Sequence, residues 1–131
     1  MTPLSQQVSM TRPTKTDRRL LGAWRSDRNR TLKEWMWRPR TSAAHRKLIT
    51  EMFGHLTIRY TRQRIHIEFK GESSSQSYKI LGADADTVAI MHGSSSGPSI
   101  QHIHFSGVNH YWITIGRQRE WFKRRLSAKQ H

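Results

Sequence analysis

The stretch HLTIRYTRQRIHIEFK, His55 to Lys70, decides the fold class of this chain. On either side of a short break, every second residue is apolar and the residues between are polar. The apolar positions are Leu56, Ile58, Tyr60, Ile65, Ile67 and Phe69. Because successive side chains of a strand point to opposite faces, this period of two is typical of a sheet with one face in the core and the other in water. The stretch therefore predicts two neighbouring half-buried strands.

The same kind of pattern continues towards the C-terminus. Further strands are predicted in SYKIL, TVAIM, IQHIHF, HYWITI and EWFKRRL, and turn-forming residues separate them in GADAD, HGSSSGPS, SGVN and GRQ. With a first strand at Leu20–Asp27, the count is about eight. After the helix the connections are short, and few are long enough for a crossover, which favours an antiparallel meander. Such a sheet can protect its edge strands by folding into a sandwich or, more simply, by closing on itself into a barrel. We predict a mainly β protein, an antiparallel up-and-down β-barrel of about eight strands.

One helix is predicted between the first and second strands, in TSAAHRKLITEMFG. Thr41 or Ser42 can cap its first turn with a hydroxyl, and Gly54 can end it. An apolar stripe at helical spacing runs along one side. Its members are Ala44, Leu48, Ile49, Met52 and Phe53. The preceding TLKEWMWRPR is compatible with a helix or a strand, and Pro39 ends either one.

Length and composition indicate one domain. A chain of 131 residues has room for a single core. Residues 1–18 are polar and basic without periodicity and predict a disordered arm, which leaves 19–127 for the barrel. The chain has no cysteine, so thiolate catalysis and Cys-ligated zinc are excluded. No apolar run has the length of a signal peptide core or of a transmembrane segment, so we expect a cytoplasmic protein.

The first strand carries a resemblance to a known superfamily. In LLGAW, Gly22 and Trp24 form a Gly-x-Trp step, and the last predicted strand ends in Arg124 and Arg125. Together with the helix and the meander, this resembles the calycins, which comprise the lipocalins and the intracellular fatty-acid-binding proteins. The resemblance implies that Trp24 plugs the closed end of the barrel beside Gly22 and that Arg124 (or Arg125) packs over it. It also implies a small, mostly apolar ligand inside the barrel.

The predicted function is the non-catalytic binding of a small hydrophobic or amphipathic ligand. The net charge of +14 favours an anionic head group. No motif indicates a cofactor, a nucleophile elbow or a phosphate-binding loop, and no residue is assigned a catalytic role. The oligomeric state is not indicated. The candidate ligand-binding residues are Tyr60, Tyr78, His102, His104, Phe105 and Tyr111.

The segment QHIHF leaves the direction of two histidines open. His102 and His104 are two residues apart on a strand, so they share a face and could share a metal, with His66, His92, His110 or Glu120 as a third ligand. Burial of Ile103 and Phe105 favours histidines that point outward. Inward histidines would instead contact an anionic head group. We predict no metal, because the carboxylate spacing of known His-x-His barrel sites is missing.

Binding of single-stranded nucleic acid or another polyanion is the alternative function. A basic β surface with exposed aromatic residues can hold a single strand. Trp35 or Trp37 could stack on bases. The cationic candidates on the outer sheet face are Arg59, Arg62, Arg64, Lys70 and Lys79. The lysines and arginines are, however, spread from Arg12 to Lys129, which is also typical of a solvated surface.

Overall fold

The computed structural model describes residues 16–94 and 96–125, and these form a closed barrel of eight antiparallel strands. Each strand pairs with the next along the chain, and the last closes against the first. The prediction of a mainly β, up-and-down barrel is confirmed. The strands are β1 (Gly22–Ser26), β2 (Leu56–Tyr60), β3 (Arg64–Phe69), β4 (Glu72–Ala83), β5 (Thr87–Ser94), β6 (Gly97–Ser106), β7 (His110–Ile115) and β8 (Gln118–Arg124).

The period of two in the sequence sets the inner and outer faces of the barrel. Across β2 and β3, Ile58 pairs with Ile67 and Tyr60 with Ile65, so the apolar residues of both strands share the inner face. The inner rows of the other strands join them in one core. Its fully buried large side chains include Trp24, Tyr111, Phe122, Ile90 and Ile103.

Two helices, rather than one, lie between β1 and β2. The ambiguous segment forms α1 (Arg28–Glu34), whose N-cap Asp27 accepts a hydrogen bond from Arg30 N–H. Trp35 then has extended dihedral angles, and residues 35–38 have no regular secondary structure before the turn at Pro39. The predicted helix is α2 (Ala43–Met52), and the hydroxyl of Ser42 caps it by accepting from His45 N–H. We call residues 27–55 the connector.

The segment HGSSSGPS was predicted as a loop, but most of it belongs to strands. β5 continues to Ser94 and β6 starts at Gly97. Their register runs from Thr87 with His104 to Ser94 with Gly97. Serine and glycine keep their backbone N–H groups and can therefore extend the ladder of backbone hydrogen bonds, although their composition is typical of turns.

The connector is fixed to the barrel mainly through β8. Trp121 N–H donates to the hydroxyl of the buried Thr31 at 2.9 Å, and Asp27 N–H donates to the carbonyl of Trp121 at 2.8 Å. The Gln118 amide accepts from Met36 N–H and donates to Met36 O. α2 buries none of its residues. Neither helix of the described ranges is long and apolar enough to span a bilayer.

The two ends of the barrel differ in how well their inner rows are covered. At the end that holds Leu20, Trp24 and Tyr60, the inner side chains are buried. At the end that carries the connector, Phe69 and Ile115 lie on the inner rows but are 36% and 42% exposed. We call these the closed end and the open end. Of the predicted arm, residues 1–15 lie outside the described residues.

Candidate ligand site at the open end

The closed end is built around Arg124 and Trp24. The guanidinium carbon of Arg124 lies 4.2 Å from the centroid of the Trp24 ring. Arg124 also donates to the carbonyls of Leu21 (2.7 Å), Arg19 (2.9 Å) and Val108 (3.2 Å). The indole N–H of Trp24 donates to Leu20 O at 2.9 Å. These contacts join the residues before β1 to the last strand.

Two physical reasons explain why position 22 is a glycine. Its φ of +112° lies in the left-handed half of the backbone map, where side chains are disfavoured. A Cβ built at Gly22 would also lie 3.0 Å from Nη1 of Arg124. The Gly-x-Trp step therefore makes room for the guanidinium on the indole.

The predicted pocket residues Tyr60, Tyr78 and Tyr111 lie together inside the barrel, but they pack against one another. The hydroxyls of Tyr60 and Tyr111 are 3.4 Å apart, and Tyr111 stacks on Phe122 with ring centroids 4.9 Å apart. The hydroxyl of Tyr78 donates to the carbonyl of Thr61 at 2.6 Å. Burial raises the pKa of Tyr60 to about 12 and that of Tyr111 well above 10. Side chains therefore fill this half of the barrel.

The remaining candidates lie elsewhere. Phe105 is on the inner face, 6.4 Å from Tyr111 between ring centroids, beneath the guanidinium of Arg19. His102 and His104 lie on the outer face, and the two rings are 6.5 Å apart. Partial burial, and then the charges of His102 and Arg119, lower the pKa of His104. Within 16–94 and 96–125, no three histidine or acidic side chains gather as a metal site.

His104 belongs to a stack on the outer face. Its ring lies parallel to that of Trp112, with a centroid distance of 3.9 Å and an interplanar angle of 10°. The guanidinium carbon of Arg119 is 3.9 Å from the Trp112 centroid. The histidines are therefore not brought together with Tyr60, Tyr78 and Tyr111, because they point to the other side of the barrel wall.

A cavity of about 730 Å³ lies at the open end, between the connector and the turn that joins β7 to β8. We call it the connector cleft. Its volume is typical of small-molecule sites. Its lining is apolar on the walls and cationic or neutral at the polar positions, with no acidic side chain. The residues are Trp35, Met36, Trp37, Arg38, Pro39, Thr41, His45, Ile49, Ile115, Gly116, Arg117 and Gln118.

The aromatic wall of the cleft follows from how α1 ends. Because Trp35 leaves the helix in an extended conformation, Trp35 and Trp37 project to the same side, with ring centroids 6.5 Å apart. Trp35 is anchored on the buried Phe53 at 5.1 Å. Arg46 of α2 lies over the Trp37 ring at 5.0 Å. The two indoles therefore form a supported wall rather than freely mobile side chains.

The cationic side chains of the cleft are available to a ligand. The guanidinium groups of Arg38 and Arg117 have no hydrogen-bond or ion-pair partner among the residues that the structure describes. An apolar body between the indoles and Ile115, with an anionic group at the arginines, would satisfy both kinds of lining. The sequence feature that indicates this cleft is the pair of tryptophans before Pro39. Their position beside the β7–β8 turn, however, depends on the tertiary fold.

A buried carboxyl group lies under the connector. Glu120 is 7% exposed and lies on the inner row of β8. It accepts a hydrogen bond from the hydroxyl of Ser26 at 2.9 Å, and that hydroxyl accepts from Gly54 N–H at 3.1 Å. Burial raises the pKa of Glu120, and the bond from Ser26 opposes this only in part. The group links the barrel to the end of the connector.

We expect Glu120 to make stability fall as pH rises. A carboxyl whose folded pKa exceeds its unfolded value stabilises fully below the unfolded pKa, and this contribution is lost as pH rises through the folded pKa. The unfolding free energy of the wild type relative to Glu120→Gln should therefore decrease as pH rises above the ordinary glutamate pKa and through the raised pKa of Glu120. Denaturant titrations at several pH values measure it, with the exposed Glu72→Gln as control. A difference that does not change with pH would contradict the prediction.

Comparison of the chain with protein-family models, with curated proteins and with solved structures found no match.

Proposed function

We propose that the protein binds a small amphipathic anion in the connector cleft and does so without catalysis. The observation that carries this proposal is a cavity of about 730 Å³ with indole and aliphatic walls, arginines at its polar positions and no acidic lining. Aromatic walls provide contact area at a low entropic cost, and a guanidinium holds a carboxylate or phosphate through two parallel hydrogen bonds. The cleft combines both features.

The proposed site differs in position from the barrel interior that the calycin resemblance implied. Tyrosine and tryptophan side chains fill the closed half, and the buried ionisable group nearer the open end is the carboxyl of Glu120. An acidic side chain there disfavours an anionic head group inside the barrel, because the two groups would repel each other whenever both are ionised. At the cleft, Arg38 and Arg117 have the charge that an anion requires.

The first test identifies what the purified protein carries. Native mass spectra are recorded and then repeated after denaturation of the same sample. An excess mass that disappears on denaturation and belongs to an amphipathic anion supports the proposal. A released cation or metal would contradict it.

The second test uses three probes with the same alkyl chain, octanoate, octanol and octylamine, measured by calorimetry. We expect octanoate to bind about 10- to 100-fold more tightly than octanol, which corresponds to one charge-assisted hydrogen bond of roughly 1.5–3 kcal/mol. Arg117→Gln should remove this advantage and leave octanol binding unchanged. Trp37→Ala should weaken both probes, because it removes apolar contact.

Arg119→Gln is the matched control, since it removes the same charge two residues further along but on the outer face. It should leave all three affinities unchanged. Equal losses in Arg117→Gln and Arg119→Gln would mean that net charge alone attracts octanoate. Octylamine binding as tightly as octanoate would overturn the anionic selectivity, and no binding of any probe would overturn the site.

A further inference from the structure

A second cavity lies on the outer face of β1 to β4, away from the connector cleft. Its volume is about 660 Å³, and we call it the outer groove. Its polar side chains come from arginine, histidine, serine and threonine, with one glutamate. The lining residues are Ala23, Thr57, Arg59, His66, Ile67, Glu68, Ser73, Ser74, Ser75 and Arg125.

The register of the barrel places five of these residues in one row across the strands. Arg125 N–H donates to Ala23 O at 2.8 Å, and Ala23 pairs with Arg59. Arg59 pairs with His66, which pairs with Ser75. With strands about 4.8 Å apart, the row is roughly 19 Å long. It runs along the floor of the groove.

The centre of the row is shaped for an anion. Ala23 is a small residue flanked by two arginines, so it leaves a depression between two residues whose Cα atoms are about two strand spacings apart, roughly 10 Å. Across the next row, Thr57 pairs with Glu68, which pairs with Ser73. The Thr57 hydroxyl therefore lies diagonally across from Ala23, and the Ser73 hydroxyl lies further along the groove beyond Glu68. Both hydroxyls can donate to phosphate or sugar oxygens.

The nitrogen-bearing side chains of the row are not used by the protein itself. Over the described part of the chain, the side chains of Arg59, Arg125 and His66 have no hydrogen-bond or ion-pair partner. Ser75 accepts from Arg64 Nη2 at 2.9 Å, which places a third guanidinium at the end of the row. Glu68 is the single acid of the lining, so cations outnumber it.

We propose that the outer groove binds the phosphodiester backbone of single-stranded nucleic acid through its phosphates, without reading the bases. Guanidinium groups match phosphate oxygens in bidentate geometry, and a row of such groups matches a chain of evenly spaced charges. A flexible single strand can bend to follow such a row of guanidinium groups across the barrel wall. The lining has no Phe, Tyr or Trp ring for base stacking, so binding should depend strongly on salt and weakly on sequence.

The residues expected from the sequence to contact nucleic acid divide between different surfaces. Arg59 lies in the outer groove, and Arg64 lies at its end through Ser75. Lys79 lines another cavity, of about 360 Å³, between β4 and β5. Arg62 and Lys70 lie in the turns that flank β3. Trp35 and Trp37 belong to the connector cleft and are not part of the groove.

The test measures the anisotropy of a fluorescently labelled oligothymidine on the full chain at two salt concentrations. The double variant Arg59→Gln with Arg125→Gln removes two phosphate contacts from exposed positions. Since each contact contributes about 0.7 to the slope of log K against log salt, the slope should decrease by about 1.4. The same relation predicts a loss of affinity of roughly 70-fold at about 50 mM salt and roughly tenfold at about 200 mM salt.

The matched control is Lys33→Gln with Arg40→Gln, which removes two exposed connector charges outside both cavities. It should change the affinity by less than about twofold. Equal losses in the two double variants would show that net charge alone binds the oligonucleotide and would overturn the groove. A duplex of the same length, or a heparin fragment of the same charge, binding as tightly as the single strand would overturn the assignment to single-stranded nucleic acid.

Discussion

Trp24→Ala is expected to lower the free energy of unfolding by about 3–5 kcal/mol, the range for removing a fully buried large aromatic side chain. Trp24 has no solvent exposure and is the largest of the fully buried side chains. One side of its ring contacts Tyr111 in an edge arrangement, with centroids 4.6 Å apart, and Arg124 lies over the ring. Alanine would remove the contacts of both neighbours and leave a cavity at the closed end.

The position of Trp24 makes relaxation of that cavity difficult. Tyr111 is itself stacked on Phe122 and bonded to Tyr60, so it cannot move into the space without breaking contacts on its other sides. Leu20 would also lose the bond that its carbonyl accepts from the indole N–H. Because the cost of a cavity rises with the volume that remains, we expect a value inside the range rather than below it.

Urea titrations of the wild type and Trp24→Ala measure the difference, with Trp37→Ala as control. Trp37 lies in the connector cleft and is only half-buried, so its replacement should cost less than about 1.5 kcal/mol. The dependence on denaturant should have the same slope in all three proteins if the fold is kept. A loss below about 1 kcal/mol in Trp24→Ala would show that Trp24 is not the closing residue of the barrel.

The sequence predicts the barrel because its strands obey a local rule. The alternation in β2 and β3 assigns Ile58, Tyr60 and Ile65 to the core without knowledge of any distant residue. The capping hydroxyl of Ser42 and the stop at Gly54 likewise lie next to the helix that they bound. The sequence leaves the segment of α1 open between helix and strand, because α1 has only seven residues and is held by Thr31 packing against β8.

The two cavities could not be predicted in this way, because each depends on residues that are distant in the sequence. The cleft requires Trp37 beside Arg117, and the groove requires Arg59 and Arg125 on either side of Ala23. Strand register decides which residues lie on either side of Ala23 in the groove, and composition does not encode register. The predicted tyrosines were correctly expected inside, but alternation alone does not distinguish a packed interior from a hollow one.

Arg124→Ala is expected to lower the free energy of unfolding by about 2–4 kcal/mol. A charge-assisted hydrogen bond contributes roughly 1.5–3 kcal/mol, and the contact of the guanidinium with the indole contributes roughly 0.5–2 kcal/mol. These contributions are not additive. The side chain donates to three carbonyls, of which those of Leu21 and Arg19 precede β1. Its loss would leave these carbonyls without their donor. Partial burial, which lowers the pKa of Arg124, also means that the wild type loses part of the hydration of this charge. The expected loss of unfolding free energy is therefore smaller than the sum of the contacts.

Arg124→Lys separates geometry from charge at this position. Lysine keeps the positive charge but has a single ammonium group, which cannot bond to Leu21 O, Arg19 O and Val108 O from one plane as the guanidinium does. We therefore expect Lys to restore less than half of the stability lost in Arg124→Ala. A double-mutant cycle with Trp24→Phe should give a coupling energy of about 0.5–2 kcal/mol, because the guanidinium and the indole are in direct contact. Additive effects of the substitutions at positions 24 and 124 would mean that Arg124 acts only on the backbone carbonyls. Full restoration of stability by lysine would mean that the positive charge of Arg124, rather than its planar set of donors, closes the barrel.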